Sequence, residues 1–393
     1  MAKRTVGARL KRLLLGVLSI LAIASLLLFL TGNAHILYGL RHTYLIGKSR
    51  PDIDDMGGFN LRKIPATQPH PWNTSAAYGT LELTSSEDSM ATFWKTEAFL
   101  VIHQDSLLFE HYWNNTTPTT TLNSFSMAKS FTAMAVGVAV NKGLIDIEAP
   151  VQDYLPQFNQ GLDTLLTVKH LLQMRSGIDF GESYSNPFGY QAKAYYGKDL
   201  LALTQPFHVS IEPGTLWKYE GGNTVILAEI VQKVTGEPLS TYFGKNIWSP
   251  IGAEQTAYWN LDHKDGMEKA FSAVYATARD FARVGLLYQH KGNWKGQQLL
   301  SEDFVDASVR PVNRPDAEGN NVTHYGYQWW LGHYNGYPVH SCRGMRGQYI
   351  LSVPDLNLVV VRLGHNRGEE KKDNMPVGVY EYLDVAVRLT TNK

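Results

Sequence analysis

The chain is poor in several things that would define a function by themselves. Its 393 residues hold one cysteine, Cys342. No intrachain disulfide can form, and a Cys-x-x-Cys zinc or redox site is excluded. A lone cysteine is usually a small buried hydrophobe. There is no excess of either charge, with 36 Lys+Arg against 36 Asp+Glu. No basic stripe with interleaved aromatics runs along the chain, which argues against a nucleic-acid partner. The 13 His include no His-Glu-x-x-His zinc motif. A Gly-x-Ser-x-Gly elbow is also missing, which disfavours an α/β-hydrolase. Gly47-Lys48-Ser49 lacks the upstream glycine of a phosphate loop, because position 42 is His. Repeats, low-complexity tracts and charge runs are absent as well. The expectation is a protein without metal or cofactor.

What is present begins with a long apolar run. Lys3, Arg4, Arg9, Lys11 and Arg12 precede LLLGVLSILAIASLLLFL, residues 13 to 30, which carries no charge. At about 1.5 Å per residue this barely spans a hydrocarbon core of about 30 Å. The positive cluster stays cytoplasmic, so the rest of the chain is expected to be exported. Gly32 and Ala34 are small residues placed for cleavage after Ala34. Residues 1–34 are thus a basic tail followed by an uncleaved membrane anchor or a signal peptide. An exported protein without disulfides points to a bacterial inner membrane with the folded part in the periplasm, or to the periplasm itself if the segment is removed. Residues 35–84, with PDIDDMGG and PATQPHPW, read as an extended linker and lead-in.

A hydrophobic fraction of 44% with 18% charge is enough for a sizeable core. AFLVIHQD (98–105) and SLLFEHYW (106–113) read as a hairpin. From Asn123 the period becomes helical, with Phe131, Met134, Ala135 and Val138 on one face and Gly143 as a stop. VKHLLQMRSG reads as a short helix from a Thr cap to Gly177, and residues 223–236 as another with an Asn or Thr cap. Residues 277–290 form a third, capped by Thr277. GYQWWLGH (326–333), GQYILSVP (347–354) and LNLVVVRLG (356–364) read as strands, and 377–390 as a helix. Strands at both ends around a helical middle suggest an α+β fold, in which the two ends of the chain complete one sheet. Of Trp329 and Trp330, alternation turns one to the core and one away.

Chemistry concentrates at Ser126-Met127-Ala128-Lys129. A serine hydroxyl needs a base in hydrogen-bond reach. Lys129, three residues on, lies on the same helical face. A lysine desolvated there can accept the serine proton. The helix start favours developing negative charge. The plain alternative is a helix-capping serine near a solvated lysine. Two further stretches add weight. Tyr219-Glu220-Gly221-Gly222-Asn223 puts a phenol in a glycine-rich turn before a helix, where it could shuttle a proton. Cys342-Arg343-Gly344-Met345-Arg346-Gly347 precedes a strand, and glycines at a strand edge admit a substrate closely.

In this order, SMAK, YEGGN and CRGMRGQYILSVP resemble the motifs of the penicillin-recognising serine hydrolases. That family comprises class C β-lactamases, D-Ala-D-Ala carboxypeptidases and their esterase relatives, and the likeness is greatest to the 6-aminohexanoate-dimer hydrolase type. It covers roughly residues 85–390, taken as the hydrolase domain. The resemblance implies a β-lactamase/transpeptidase-like α+β fold, an antiparallel sheet flanked by helices with an all-helical region inserted. It implies that Ser126 attacks a small amide or ester, with Lys129 and Tyr219 handling the proton. The Met345 N–H would be the second oxyanion donor beside Gly344. Asn223 would stand for the asparagine of the second motif, which is displaced here because position 221 is Gly. His365 falls where such enzymes bring a substrate-contacting group. The lysine or histidine that opens the third motif in β-lactamases is replaced by Cys342, which demotes β-lactamase activity; Arg343 or Arg346 could substitute. A peptidoglycan carboxypeptidase or β-lactamase, and a non-catalytic sensor or binding module, are the rival readings.

Overall fold

A computed structural model describes residues 2–391. Helix α1, Ala2–Leu30, is followed after a short turn by α2, His35–His42. Within α1, Gly7–Leu30 is long and apolar enough to cross a membrane, and none of it is buried against the rest of the chain. Then come β1 (Asn60–Ile64), β2 (Thr96–His103), β3 (Ser106–Tyr112), β4 (Leu122–Asn123), α3 (Ala128–Asn141), α4 (Tyr190–Tyr196) and α5 (Gly221–Thr235). Beside shorter helices and two-residue strands, there follow β5 (Ala257–Leu261), β6 (Val274–Ala276), α6 (Ala278–Gln289), β7 (Trp330–Tyr334), β8 (Tyr337–Gly344), β9 (Gln348–Val353), β10 (Leu358–Gly364) and α7 (Val377–Thr391).

The two ends of the chain do complete one sheet. Its order is β7-β8-β9-β10-β2-β3, antiparallel throughout. Side chains alternate between two cores. Leu100, Ile102, Ile350, Val359 and Val361 face one cluster, whereas Phe99, Val101, Leu351 and Val360 face the other with Val379, Leu383 and Ala386 of α7. On the first face α6 packs so closely that a Cβ on Gly285 would stand 2.6 Å from Val359 Cγ1. Each fully buried Val, Leu or Ile contributes about 1.5–3 kcal/mol, so a sheet covered on both faces is the stable centre of the domain. Helix α3 is buried on every side from Ala128 to Ala139, and is therefore apolar all round rather than striped.

Several expectations need correction. Residues 35–84 are not an extended lead-in. They contain α2 and β1, the latter paired with β5. Ile53 and Ile64 are fully buried, and Asp55 accepts hydrogen bonds from Tyr275 at 2.8 Å and Asn123 at 3.2 Å. Two of the acids of PDIDDMGG, Asp52 and Asp55, serve as internal acceptors, whereas Asp54 is exposed and pairs with Lys48. The helix at VKHLLQMRSG is only Val168–Leu172, because Met174 takes a left-handed φ of 58° well before Gly177. Helix α5 starts at Gly221 with Glu220 as its N-cap, so Asn223 lies inside its first turn. Strand β7 starts at Trp330, after Gln328 turns the chain with φ 61°. Strand β8, read only as a glycine-rich edge, is eight residues long. The Thr277 cap holds, its side chain accepting from the Asp280 N–H.

Candidate active site

Ser126 sits in a 3₁₀ turn, Phe125–Met127, that runs directly into α3. The preceding residues hold this turn. The Ser124 N–H donates to Val274 O at 2.7 Å, and the Val274 N–H returns to Ser124 Oγ at 2.9 Å. Phe125 has a positive φ of 46°, unusual for a bulky residue, and its N–H is held by Asn123 Oδ1 at 2.9 Å. Such a conformation costs on the order of 1–3 kcal/mol and persists only where the surroundings fix it.

Lys129, one turn on, is 1% exposed. Its Nζ donates to Phe271 O at 2.9 Å and lies 3.3 Å from Ser126 Oγ. It also stands 4.9 Å from the centroid of the Tyr219 ring. Residues from three separate parts of the sequence therefore converge on one amine. Gly344 closes the other side: a Cβ there would be 2.2 Å from Ser124 O. Only glycine lets the end of β8 come this close to the serine turn, and that approach brings Met345 beside Ser126.

Two cavities meet here, sharing Arg50, Ser126, Tyr184 and Met345 in their walls. One, of about 440 Å³, is lined by Ile36, Leu40, Phe125, Pro187, Ala192 and Tyr196 among others. The second, of about 500 Å³, is lined by Tyr219, Trp330, Arg343, Gly344, Arg367 and Lys371 among others. Both have the size of small-molecule sites. Trp329 is fully buried and stacked on Tyr288 at 3.8 Å, whereas Trp330 faces the second cavity, so alternation read this pair correctly.

Arg343 is 7% exposed and lies over Trp330, its guanidinium carbon 5.4 Å from the ring centroid. Its Nε donates to Ser341 Oγ at 2.9 Å and its Nη1 to Asn374 O at 3.1 Å. Its Nη2 is buried with no partner among the described residues. Burial pulls the guanidinium down to about 10, which leaves it charged at neutral pH. Arg346 also lines the second cavity, while donating to His365 O at 3.0 Å and pairing with Asp52 at 3.1 Å.

Lys129 lines neither cavity itself and meets them through Ser126, whereas Asn223 and His365 are not brought to the site. Asn223 is buried, with its Nδ2 against Met174 Sδ at 3.4 Å. The His365 ring is gripped between Asp52, 2.7 Å from Nδ1, and Glu97, 3.2 Å from Nε2. Its hydrogen bonds to these carboxylates push it up to about 9, so it is a structural cation at neutral pH. Arg50, Tyr184 and α2 were missed. The first and last lie in the stretch read as a linker, and Tyr184 lies in a polar loop whose only sequence signal is the aromatic itself.

Residues 39–377 match the Beta-lactamase family model, and the chain belongs to that family, one of serine hydrolases. It is 29% identical over 297 residues to the 6-aminohexanoate-dimer hydrolase of Paenarthrobacter ureafaciens, covering 68% of this chain and 72% of the relative. Against esterase EstB of Burkholderia gladioli it is 27% identical over 146 residues, 34% of this chain and 37% of that one. Among solved structures, a Bacillus anthracis protein provisionally assigned as a 6-aminohexanoate-dimer hydrolase superposes with a TM-score of 0.72 at 22% identity, over 86% of this chain and 93% of its own. A family VIII carboxylesterase gives 0.61 at 19%, over 79% and 99%. At these identities the structural likeness speaks for the fold.

Proposed function

We propose that this protein hydrolyses a small amide or ester through an acyl-enzyme on Ser126. The observation that carries the reading is the 3.3 Å contact between Lys129 Nζ and Ser126 Oγ at the junction of two cavities. Ser126 Oγ attacks the carbonyl carbon as its proton passes to Lys129 Nζ. The backbone N–H groups of Ser126 and Met345 receive the oxyanion. Tyr219, beside Lys129, relays the proton to the departing amine or alcohol. Water then adds to the acyl-enzyme, its proton returns to Ser126 Oγ, and the acid leaves. No redox or metal step is needed to balance this sequence.

The amide-cleaving and ester-cleaving relatives support either bond as target. Arg343, a cation in the wall of the second cavity whose Nη2 has no partner among the described residues, suits a substrate carboxylate, and so keeps a carboxypeptidase or β-lactamase as the second reading. Helix α1 fits an anchor that holds the domain on the outer face of an inner membrane.

The test is the intact mass of the protein after exposure to a fluorophosphonate, wild type beside Ser126→Ala. A single adduct on the wild type alone supports Ser126 as an activated nucleophile. An adduct on neither would leave the fold as a binding module. Turnover of a chromogenic cephalosporin would move the reading to the second class, and turnover of short p-nitrophenyl esters alone to the first.

A further inference from the structure

The cavity on the α2 side of Ser126 is tied to the membrane helix by a very short connection. Only residues 31–34 separate Leu30, the last residue of α1, from His35, the first of α2. At full extension that connection reaches about 17 Å. It is shorter in fact, because the Asn33 N–H donates back to Leu28 O at 2.7 Å and the Ile36 N–H to Asn33 O at 3.1 Å. The polar layer outside the hydrocarbon is itself about 5–8 Å deep on each side. If α1 spans the bilayer, α2 is therefore held at the lipid surface.

Helix α2 is also part of the catalytic domain. His35 Nε2 bonds Pro187 O at 2.8 Å, Tyr38 donates to Gly58 O at 2.7 Å, and a Cβ on Gly39 would press on the Tyr196 ring at 3.3 Å. Its Ile36 and Leu40 form one wall of the cavity, with Pro187 and Ala192 opposite. Leu40 and Tyr44 of its lining, and the neighbouring Leu45, Ile46 and Phe188, are apolar groups turned to the outside. Leu40, Tyr44, Leu45 and Ile46 are 39%, 64%, 78% and 60% exposed, and Phe188 is 53% exposed. Apolar and aromatic groups next to a membrane helix belong at the lipid interface, where tyrosine is enriched.

Resting on the acyl-enzyme reading above, we infer that the α2-side cavity takes the aliphatic chain of a bilayer-borne amphiphile, so that the substrate is a long-chain amide or ester delivered from the membrane. The chain enters between α2 and the 183–192 segment, its carbonyl reaches Ser126 Oγ, and the polar half lies towards Arg343. The covalent step is the one already written: Ser126 Oγ bonds the acyl carbon, the amine or alcohol leaves with a proton, and water releases the fatty acid.

The full chain is reconstituted in phosphatidylethanolamine/phosphatidylglycerol vesicles, and kcat/KM is measured for p-nitrophenyl acetate, butyrate, octanoate and dodecanoate. The value is expected to rise by about fourfold per buried methylene until the cavity is full. Ala192→Trp, which fills the cavity, and Leu40→Glu, which charges its rim, should each lower the dodecanoate-to-acetate ratio at least about tenfold. A flexible spacer of about twelve residues between Gly32 and Asn33, reaching about 40 Å, should lower dodecanoate turnover from vesicles several-fold. Binding of 11-(dansylamino)undecanoic acid to Ser126→Ala reads the cavity without chemistry, and it should be saturable and weakened at least about tenfold by Ala192→Trp. Acetate turnover with no chain-length preference, no effect of the spacer and no saturable dansyl binding overturns the inference and leaves the hydrolase reading standing. Saturable dansyl binding with no ester turnover supports the chain-binding cavity while the hydrolase reading fails.

Discussion

Ser124 O lies 2.2 Å from where a Cβ on Gly344 would stand. The serine turn and the end of β8 are therefore in backbone contact, and the spacing of their amides depends on a missing side chain. Gly344→Ala has to push the two apart by more than a flexible side chain could absorb. A loss of about 1–3 kcal/mol in stability is expected, as for other overpacked sites. The larger effect should be on the rate of fluorophosphonate labelling, falling at least about tenfold while the far-ultraviolet spectrum is kept, if the Met345 N–H is the oxyanion donor proposed above and is moved away from Ser126. Unchanged labelling by a folded Gly344→Ala protein would remove Met345 from the oxyanion site.

Lys129 has no carboxylate partner among the described residues; its Nζ meets Phe271 O, Ser126 Oγ and two ring faces. That setting suits a proton carrier better than a structural ion pair. Lys129→Ala is expected to lower kcat/KM for a p-nitrophenyl ester by at least about two decades, the usual scale of a lost general base. Ser126→Ala should abolish labelling with the melting temperature nearly unchanged, since the hydroxyl makes no hydrogen bond other than the one with Lys129 among the described residues. Near-normal turnover in either variant would sink the mechanism.

How much of this was legible follows from the distances along the chain. Ser126 and Lys129 were readable because one helical turn dictates their proximity. The sheet was readable because β9 and β10 are short, mostly apolar runs, buried on both faces, with three successive valines in β10. His365 was misread because its fate is decided by Asp52, 313 residues away, and by Glu97, neither of which strand-end position reveals. Residues 35–84 were misread because composition marks turns and says nothing of what they pack against. In Asp55 the same acidic side chain that signals a loop is an internal acceptor for Tyr275. Tyr219 and Met345 carry no local signal strong enough to stand without the family likeness.

Arg343 lines the second cavity and is held by two hydrogen bonds and a ring face, with its Nη2 buried and without a partner among the described residues. If that nitrogen binds a substrate carboxylate, Arg343→Lys keeps the charge but loses the planar donor pair. KM for a carboxylate-bearing ester should rise at least about tenfold with little change in kcat, whereas a neutral ester of the same length should be nearly indifferent. An equal loss on both substrates would instead make Arg343 a brace for Trp330 and β8.

The His365 knot sets a pH dependence of stability whose sign can be worked out. Its hydrogen bonds to Asp52 and Glu97 raise the folded imidazole to about 9, against about 6.5 in the unfolded chain. Burial pushes the Asp52 carboxyl up, but the His365 bond and charge, with Arg346, carry it below its ordinary value; Glu97 is likewise lowered, against burial, mainly by His365. Lys48, 3.7 Å from Asp52, adds a further cation. A raised folded value means that the folded state holds the proton more tightly, so the contribution of His365 is fully present below pH 6.5. It declines from there and is gone once the pH has risen through about 9. Its full size is on the order of 3 kcal/mol, lessened by solvent because a quarter of the side chain is exposed. Urea midpoints of wild type and His365→Asn should therefore differ clearly at pH 6 and converge near pH 9.5. A gap of the same size at both values would show that the imidazole contributes by packing, with its charge irrelevant. Activity at pH 6 against a short ester, measured beside stability, should fall in the variant only as far as the protein unfolds, since the ring lines neither cavity.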